Sequence, residues 1–398
     1  MLGSLDGLAP VRRFWLDQQD HANNDLDQFE LVCSVREQVL APRVAVLSQG
    51  GGLCALLACR LERAPFAPTV GYLAPVSINA RTVAVLHRGI LGTIDAQGAR
   101  LLITALDDIL RHGEADAIDF HFVQEGTPLF DALVAHRASW RRRVLPRWSM
   151  HHEMSLGPSG NFMTDKLRAK HRSWLRKKQK MLESDFAGRI NWRWLTQIDD
   201  IGALCRVLES VAQHTYQRGL GTGFFNDRDF QERLALFAKR GILRVTLLEI
   251  DGRARAFWFG TIHQRVFHSS ETGYDPALRQ YEVGTLMFVR MADALANESV
   301  QRLDFGIGDA LYKARFADRS WRETGVWLFA PTLKGLLMRS VLEVVLTVDV
   351  AARALLRQTG VLGRLKAVWR RLKTRTAATT QIDSTAPDAA RRQELFLP

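Results

Sequence analysis

The sequence predicts an α/β protein made of two successive units with the same order of elements, followed by a helical C-terminal extension. Three observations predict it. Residues 242–250, 253–262 and 265–272 read as three apolar strands, the first two joined by Asp251-Gly252, a dipeptide suited to the positive φ of a tight hairpin. A loop, a Gly-Thr step (Gly284, Thr285), a helical run over 286–296 and a short strand over 302–305 follow. The same order occurs earlier. Leu91-Gly92-Thr93, a helix and Ile118-Asp119-Phe120 echo Val283-Gly284-Thr285, a helix and Leu303-Asp304-Phe305, with an interval about seven residues longer in the first copy.

The elements can be justified in order. Residues up to about 24 are polar and read as a lead-in. Residues 25–40 carry helical periodicity (Leu26, Phe29, Val32, Cys33, Val39, Leu40), and Pro42 is expected to end that helix. Strands at 43–47 and 53–60 flank Gly50-Gly51-Gly52. No helix and no Lys-Ser/Thr follow those glycines, so they are a hairpin turn rather than a phosphate loop. Strands are expected at 69–73, 83–90 and 117–122, and amphipathic helices at 99–111 and 128–136. After a strand at 148–156, Gly157-Pro158-Ser159-Gly160 is the breaker expected to separate the halves. A basic helix at 164–184, a strand at 186–197, a helix capped by Asp199 or Asp200, and a helix at 228–239 open the second half. The predicted divisions are 1–156, 161–330, a helical extension over 331–375, and a polar tail over 376–398 expected to be disordered.

Charge and composition narrow the function. The chain has 398 residues, 47 % of them hydrophobic, and a net charge of +12. The charge is clustered: Arg141, Arg142, Arg143 and Arg147, then acid-free runs at 166–180 and 357–375. Such patches suit phosphates, nucleic acid or an anionic membrane face, or are simply solvated helix faces. The four cysteines (Cys33, Cys54, Cys59, Cys205) have no metal or redox spacing and read as reduced thiols. No signal peptide and no charge-free span are visible, so the expected location is cytoplasmic. The stretch 361–372, with Leu362, Leu365, Val368 and Trp369 against Arg364, Lys366, Arg370 and Arg371, suits either the inner face of an anionic membrane or a cap on the protein.

Short sequences in the second half carry a resemblance. They are the hairpin at Asp251-Gly252, Gly273-Tyr274-Asp275-Pro276, Gly284-Thr285-Leu286, Leu303-Asp304-Phe305, and Gly308-Asp309 followed by Tyr312-Lys313. In this order and spacing, residues 166–330 resemble the acyltransferases of the GNAT superfamily. Within it they are similar to the CelD/BcsL-like branch, which is related to the Fem-type aminoacyl transferases. The resemblance implies tandem GNAT-like units, the first degenerate and the second carrying the site. It also implies acetyl-CoA or another acyl-CoA as co-substrate.

Acyl transfer from coenzyme A needs backbone N–H groups for the pyrophosphate, a strand edge for the pantetheine arm, an oxyanion donor and an acid for the leaving thiolate. The resemblance places the phosphate nest at Gln280, Val283, Gly284, Thr285 and Leu286, with Arg279 an alternative to Gln280. Glu282 and Val283 stand where the family has a small residue. Tyr312 is implied as general acid, Lys313 as oxyanion or phosphate partner, and Asp309 as the group orienting Lys313. Glu271 is the candidate base for the incoming amine, with His268 as the other choice. His151, His152 and Glu153 resemble a metal cluster, but neighbours on a strand point to opposite faces, so no metal is expected. Trp174, Trp192 and Trp194 read as core, or as a base-stacking group beside the basic helix.

The function expected from these residues is N-acyl transfer to a small-molecule amine or an envelope-precursor sugar or peptide. Two rivals remain: a Fem-type transferase using charged tRNA, favoured by the basic run at 166–180, and a non-catalytic envelope-assembly protein at the membrane.

Overall fold

A computed structural model gives the architecture. It describes residues 1–358, apart from 72, 137–138, 158–160, 220–221 and 309. The chain forms two compact units. Of the described residues, unit 1 comprises Met1–Ser149 and 321–358, and unit 2 comprises Met150–Ser320.

In chain order, unit 1 opens with α1 (Arg12–Gln18) and α2 (Leu26–Val35). Then come β1 (Val39–Gln49), β2 (Gly52–Phe66), β3 (Ile78–Gly92), α3 (Ala96–Arg111), β4 (Ala117–Gln124), α4 (Pro128–Ala135) and the short β5 (Arg142–Val144). β6 (Ser149–Ser155), α5 (Phe162–Lys166), α6 (Ala169–Asp185), β7 (Ile190–Leu195), α7 (Ile201–Ala212), α8 (Tyr216–Gly219) and α9 (Arg228–Lys239) follow in unit 2. It continues with β8 (Leu243–Ile250), β9 (Arg253–His263), β10 (Val266–Tyr274), α10 (Val283–Asn297), β11 (Arg302–Ile307) and α11 (Leu311–Phe316). β12 (Arg319–Phe329) and α12 (Leu333–Gln358) return the chain to unit 1.

The internal topologies of the two units match. In unit 1, β1, β2 and β3 form an antiparallel meander, α3 crosses over, and β4 lies parallel to β3. In unit 2, β8, β9 and β10 form the meander, α10 crosses over, and β11 lies parallel to β10. The tandem α/β organisation expected from the repeated Gly-Thr and Asp-Phe steps is therefore present. The β8–β9 turn is the predicted one, with Asp251 at φ 54° and Gly252 at φ 71°.

Each unit is completed by a strand that comes after the other unit's crossover in the chain. β12 pairs antiparallel with β4, and β6 pairs antiparallel with β11. The units consequently divide at 149/150 and 320/321. The Gly157–Gly160 breaker and residue 330, predicted as boundaries, lie inside units.

Three further elements differ from the sequence reading. The helix expected over 25–40 stops at Val35, and Pro42 lies within β1. β1 is an edge strand, where proline is tolerated because its missing N–H faces no partner strand. The basic helix divides into α5 and α6 around the buried Leu167. The predicted extension at 361–372 and the tail lie outside the described residues.

The core of unit 2 has two layers because β9 alternates. Ala256 and Trp258 pack with Leu286, Met287, Phe288 and Met291 of α10, together with Leu175 and Leu182 of α6. Phe257 and Phe259, one residue out of phase, meet Phe224 on the other face of the sheet. There Leu204 and Leu208 of α7 and Phe230 and Leu234 of α9 are also buried.

Candidate active site

The site begins where two parallel strands part. β10 and β11 pair only at Val266–Arg302, Phe267–Leu303 and His268–Asp304. Beyond that point β10 stays with β9 as far as Tyr274–Ala256, with a bulge between Ser269 and Glu271. β11 stays with β6, with its own bulge between Asp304 and Gly306. A bulge bends and twists its strand, and paired bulges at the end of the ladder drive the two strands apart. Among the described residues, no strand pairs with the edge of β10 that faces this opening.

The N-terminus of α10 presents the second component. The chain arrives through a helical turn, Pro276–Tyr281, capped by Asp275, whose Oδ1 accepts from Ala277 N at 2.9 Å. Glu282 then adopts a left-handed conformation (φ 55°) and makes no side-chain cap. Its carbonyl accepts the amides of Thr285 and Leu286 at 2.9 and 3.0 Å. Helix geometry leaves the amides of Val283 and Gly284 directed out of the helix mouth, with the positive end of the dipole behind them. A Cβ on Gly284 would lie 3.6 Å from the Tyr274 ring, so Tyr274 lines this mouth. Lys178 of α6 donates to Gln280 O at 2.7 Å. His171 is held below its usual pKa by burial and by Arg315, while Glu282 opposes them, which places all three groups around the same end.

The predicted phosphate residues thus separate by role. Gly284 and Thr285 are accessible, Val283 and Leu286 bury their side chains and can offer only backbone, and Gln280 is exposed with its carbonyl engaged. The corresponding helix in unit 1 is closed. Asp95 caps α3, its Oδ1 accepting from Gly98 N at 2.7 Å, so a carboxylate already occupies that terminus.

Of the catalytic candidates, Tyr312 begins α11, half-buried. Its ring stands edge-on to Trp258 and Phe305, with centroids 5.8 and 5.9 Å away. Lys313 is buried, and its Nζ donates to the carbonyls of Phe305 and Ile307, both at 2.8 Å. It fastens α11 to the end of β11, just past the point where the strands part. Asp309 lies outside the described residues. Glu271 sits in the β10 bulge, where burial pushes its carboxyl up to about 8 against the pull of Lys313 and Arg233. The glycine at 223 approaches it: a Cβ there would be 4.0 Å from Glu271 Oε2. Burial thus keeps Glu271 protonated to higher pH than an ordinary carboxylate.

His268 is tied elsewhere. Asp304 Oδ2 lies 3.4 Å from His268 Nδ1, while Oδ1 lies 2.7 Å from His151 Nε2 and accepts the Gly306 amide at 2.7 Å. His152 meets Ser320 Oγ at 2.8 Å, and Glu153 pairs with Arg302 and Arg319, each at 3.1 Å. The three adjacent residues of β6 thus have three different sets of partners. Trp194 donates to Glu298 at 2.7 Å and Arg290 stacks over Trp192 at 4.6 Å, so both tryptophans are engaged within unit 2.

Sequence reasoning missed Arg233. A signal was present: on the helix face formed by Phe230, Leu234 and Phe237, the one charged residue is Arg233. It is buried, paired with Asp229 at 3.0 Å and stacked on Phe230. His171 and Lys178 lie in the basic run at 166–180, but nothing local in the sequence placed that run, or Arg315 of α11, at the α10 terminus.

Residues 169–314 match the acetyltransferase (GNAT) domain family. The matched segment contains α10, the parted strands, Glu271, Tyr312 and Lys313. No curated protein matches the chain. Among solved structures, FemX superposes with a TM-score of 0.54 at 10 % identity, covering 84 % of this chain and 98 % of its own. A tandem GNAT protein from the clavulanic acid biosynthesis pathway gives 0.49 at 14 %, covering 83 % and 98 %. L-PGS from Bacillus licheniformis gives 0.47 at 13 %, covering 85 % and 98 %. The likeness to FemX extends the common fold beyond the GNAT domain to most of the chain. No helix among the described residues is long and apolar enough to cross a membrane.

Proposed function

We propose that the chain transfers an acetyl or longer acyl group from acyl-CoA to the amine of a small molecule or a cell-envelope precursor. The observation that carries this reading is the parting of β10 from β11 beside the uncapped start of α10, inside the GNAT domain. The pyrophosphate would lie on the Val283 and Gly284 amides, with Lys178 and Arg315 supplying positive charge nearby. The pantetheine arm would extend along the open edge of β10.

In this reading Glu271 takes the proton from the acceptor's ammonium. The free amine nitrogen attacks the thioester carbonyl carbon, forming the C–N bond. The C–S bond breaks, Tyr312 protonates the departing thiolate, and the second proton shed by the new amide nitrogen passes through solvent to restore Tyr312. Lys313 positions Tyr312 by holding α11 on β11. The test is calorimetric titration with acetyl-CoA and longer acyl-CoAs, using the wild type and Gly284→Glu. A side chain bearing an acid at this mouth should abolish binding. Unchanged affinity in a folded Gly284→Glu protein overturns the site.

A second reading, in which the donor is an aminoacyl-tRNA, is favoured by α6. Its exposed residues include Lys170, Arg176, Lys177 and Lys180, and Lys178 reaches the turn before α10. Thermal-shift measurements with tRNA and with acyl-CoA separate the two, because only the true donor should raise the melting temperature in a saturable way.

A further inference from the structure

α12 carries two apolar faces, and among the described residues only one is packed. Met338, Leu342 and Val345 are buried, the first two in the cluster of Phe66, Ala80, Trp327 and Phe329. Lys334 pairs with Asp116 at 2.8 Å, fixing the start of the helix. The other face holds Leu333, Leu337, Val344 and Val348, which are 88 %, 55 %, 63 % and 48 % exposed. At about 100° per residue these four fall within a single sector of the helix. Ser340, Thr347 and Ala351 fall in the same sector, and every charged residue of α12 lies outside it.

The acids of α12 are already neutralised. Glu343 faces Arg143 at 3.3 Å and Arg339 at 3.6 Å, and Asp349 pairs with Arg353. Beyond Asp349 the sequence has no acid until Asp383, while Arg353, Arg357, Arg364, Lys366, Arg370, Arg371, Lys373 and Arg375 fall in between. An uncovered apolar sector, paired acids and a following run of cations complement one kind of surface. That surface is apolar beneath and negatively charged at its edge.

We infer that the exposed sector of α12 docks on an anionic lipid bilayer, lying along the interface with Leu337, Val344 and Val348 inserted and the basic run that follows drawn to the headgroups. A second copy of the chain is a poorer occupant. Two such helices side by side would bring two basic runs together, and Ser340, Thr347 and Ala351 in the sector offer no charges to set a pairing register. The inference is independent of the acyl donor, since α12 belongs to unit 1 and the GNAT domain to unit 2.

The test is co-sedimentation of the full chain with phosphatidylcholine vesicles, with and without phosphatidylglycerol, and light scattering of the same samples without lipid. Wild type should sediment with the phosphatidylglycerol vesicles and be released by salt. Leu337→Glu combined with Val344→Glu should keep its melting temperature, because both side chains are exposed, and should lose at least about tenfold in binding. A chain ending at residue 358 should bind more weakly and lose its salt sensitivity. The inference is overturned if wild type ignores phosphatidylglycerol vesicles or if the double variant binds as wild type does. It is overturned equally if wild type is a dimer that the double variant dissolves without any lipid binding.

Discussion

Asp304 Oδ1 lies 2.7 Å from His151 Nε2, with both side chains almost wholly buried. The pair joins β11 to β6 immediately before the strands of the site part. Burial alone would raise the Asp304 pKa, but the hydrogen bonds and charges of His151 and His268 hold it well below the usual carboxylate range. A depressed carboxylate stabilises the fold above its unfolded pKa and loses that contribution as pH falls through its folded one. Asp304→Asn should therefore cost about 1.5–3 kcal/mol near neutral pH, the value of a hydrogen bond to a charged group. The deficit should shrink in denaturant titrations carried out well below pH 4. An equal deficit at all pH values would mean that the cost is steric.

Glu271 works in the opposite direction. Its folded pKa of about 8 lies above the ordinary value of 4.5, so the native state holds a proton that the unfolded chain releases. Stability from this group is complete below the ordinary value and declines as pH rises toward 8. Glu271→Gln should remove that decline and stabilise the protein at pH 8, on the order of a few kcal/mol at ~1.4 kcal/mol per pKa unit. The same variant should lose acyl transfer by about 10²-fold or more. Melting curves of both proteins across pH 5–9 check the first outcome and a transfer assay the second.

Tyr312→Phe keeps the ring between Trp258 and Phe305 and removes only the hydroxyl. Turnover should fall by ~10²–10⁴ while the melting temperature hardly changes. Full activity in this variant would remove Tyr312 from the mechanism.

Lys313→Met should act on both stability and rate. It leaves the carbonyls of Phe305 and Ile307 without the ammonium that they share. Each buried acceptor so stranded costs about 1–3 kcal/mol. Because α11 would also loosen, turnover should fall with Tyr312 still present. Limited proteolysis near residue 311 should speed up in the variant; unchanged cleavage would separate Lys313 from the placement of α11.

Much of this architecture was legible because its signals are local. The Asp251-Gly252 turn and the helix at 228–239 were predicted where they occur, and of the two caps offered, Asp199 and Asp200, the structure uses Asp200, since each depends on a few neighbouring residues. Pro42 misled because its effect depends on whether a strand is at an edge, which is a property of the whole sheet. The unit boundary was illegible for the same reason: β6 pairs with a strand roughly 150 residues later. Of the site candidates, Tyr312 stood out through the family pattern and Glu271 through its place near the end of the third strand. The cations around α10 come from two segments, α6 and α11, that only tertiary structure brings together.

The late position of β12 has a consequence for how the protein is made. β4 is complete at residue 124, but the strand that covers its open edge spans Arg319–Phe329. At synthesis rates of about 5–20 residues per second, the ribosome needs roughly 10–40 s to travel from the end of β4 to the end of β12. For that time the nascent first unit exposes the unpaired backbone of β4, a template for wrong pairing between chains on neighbouring ribosomes. Slowing translation before residue 319 should therefore lower the soluble yield, and supplying a β12 peptide in trans should restore part of it.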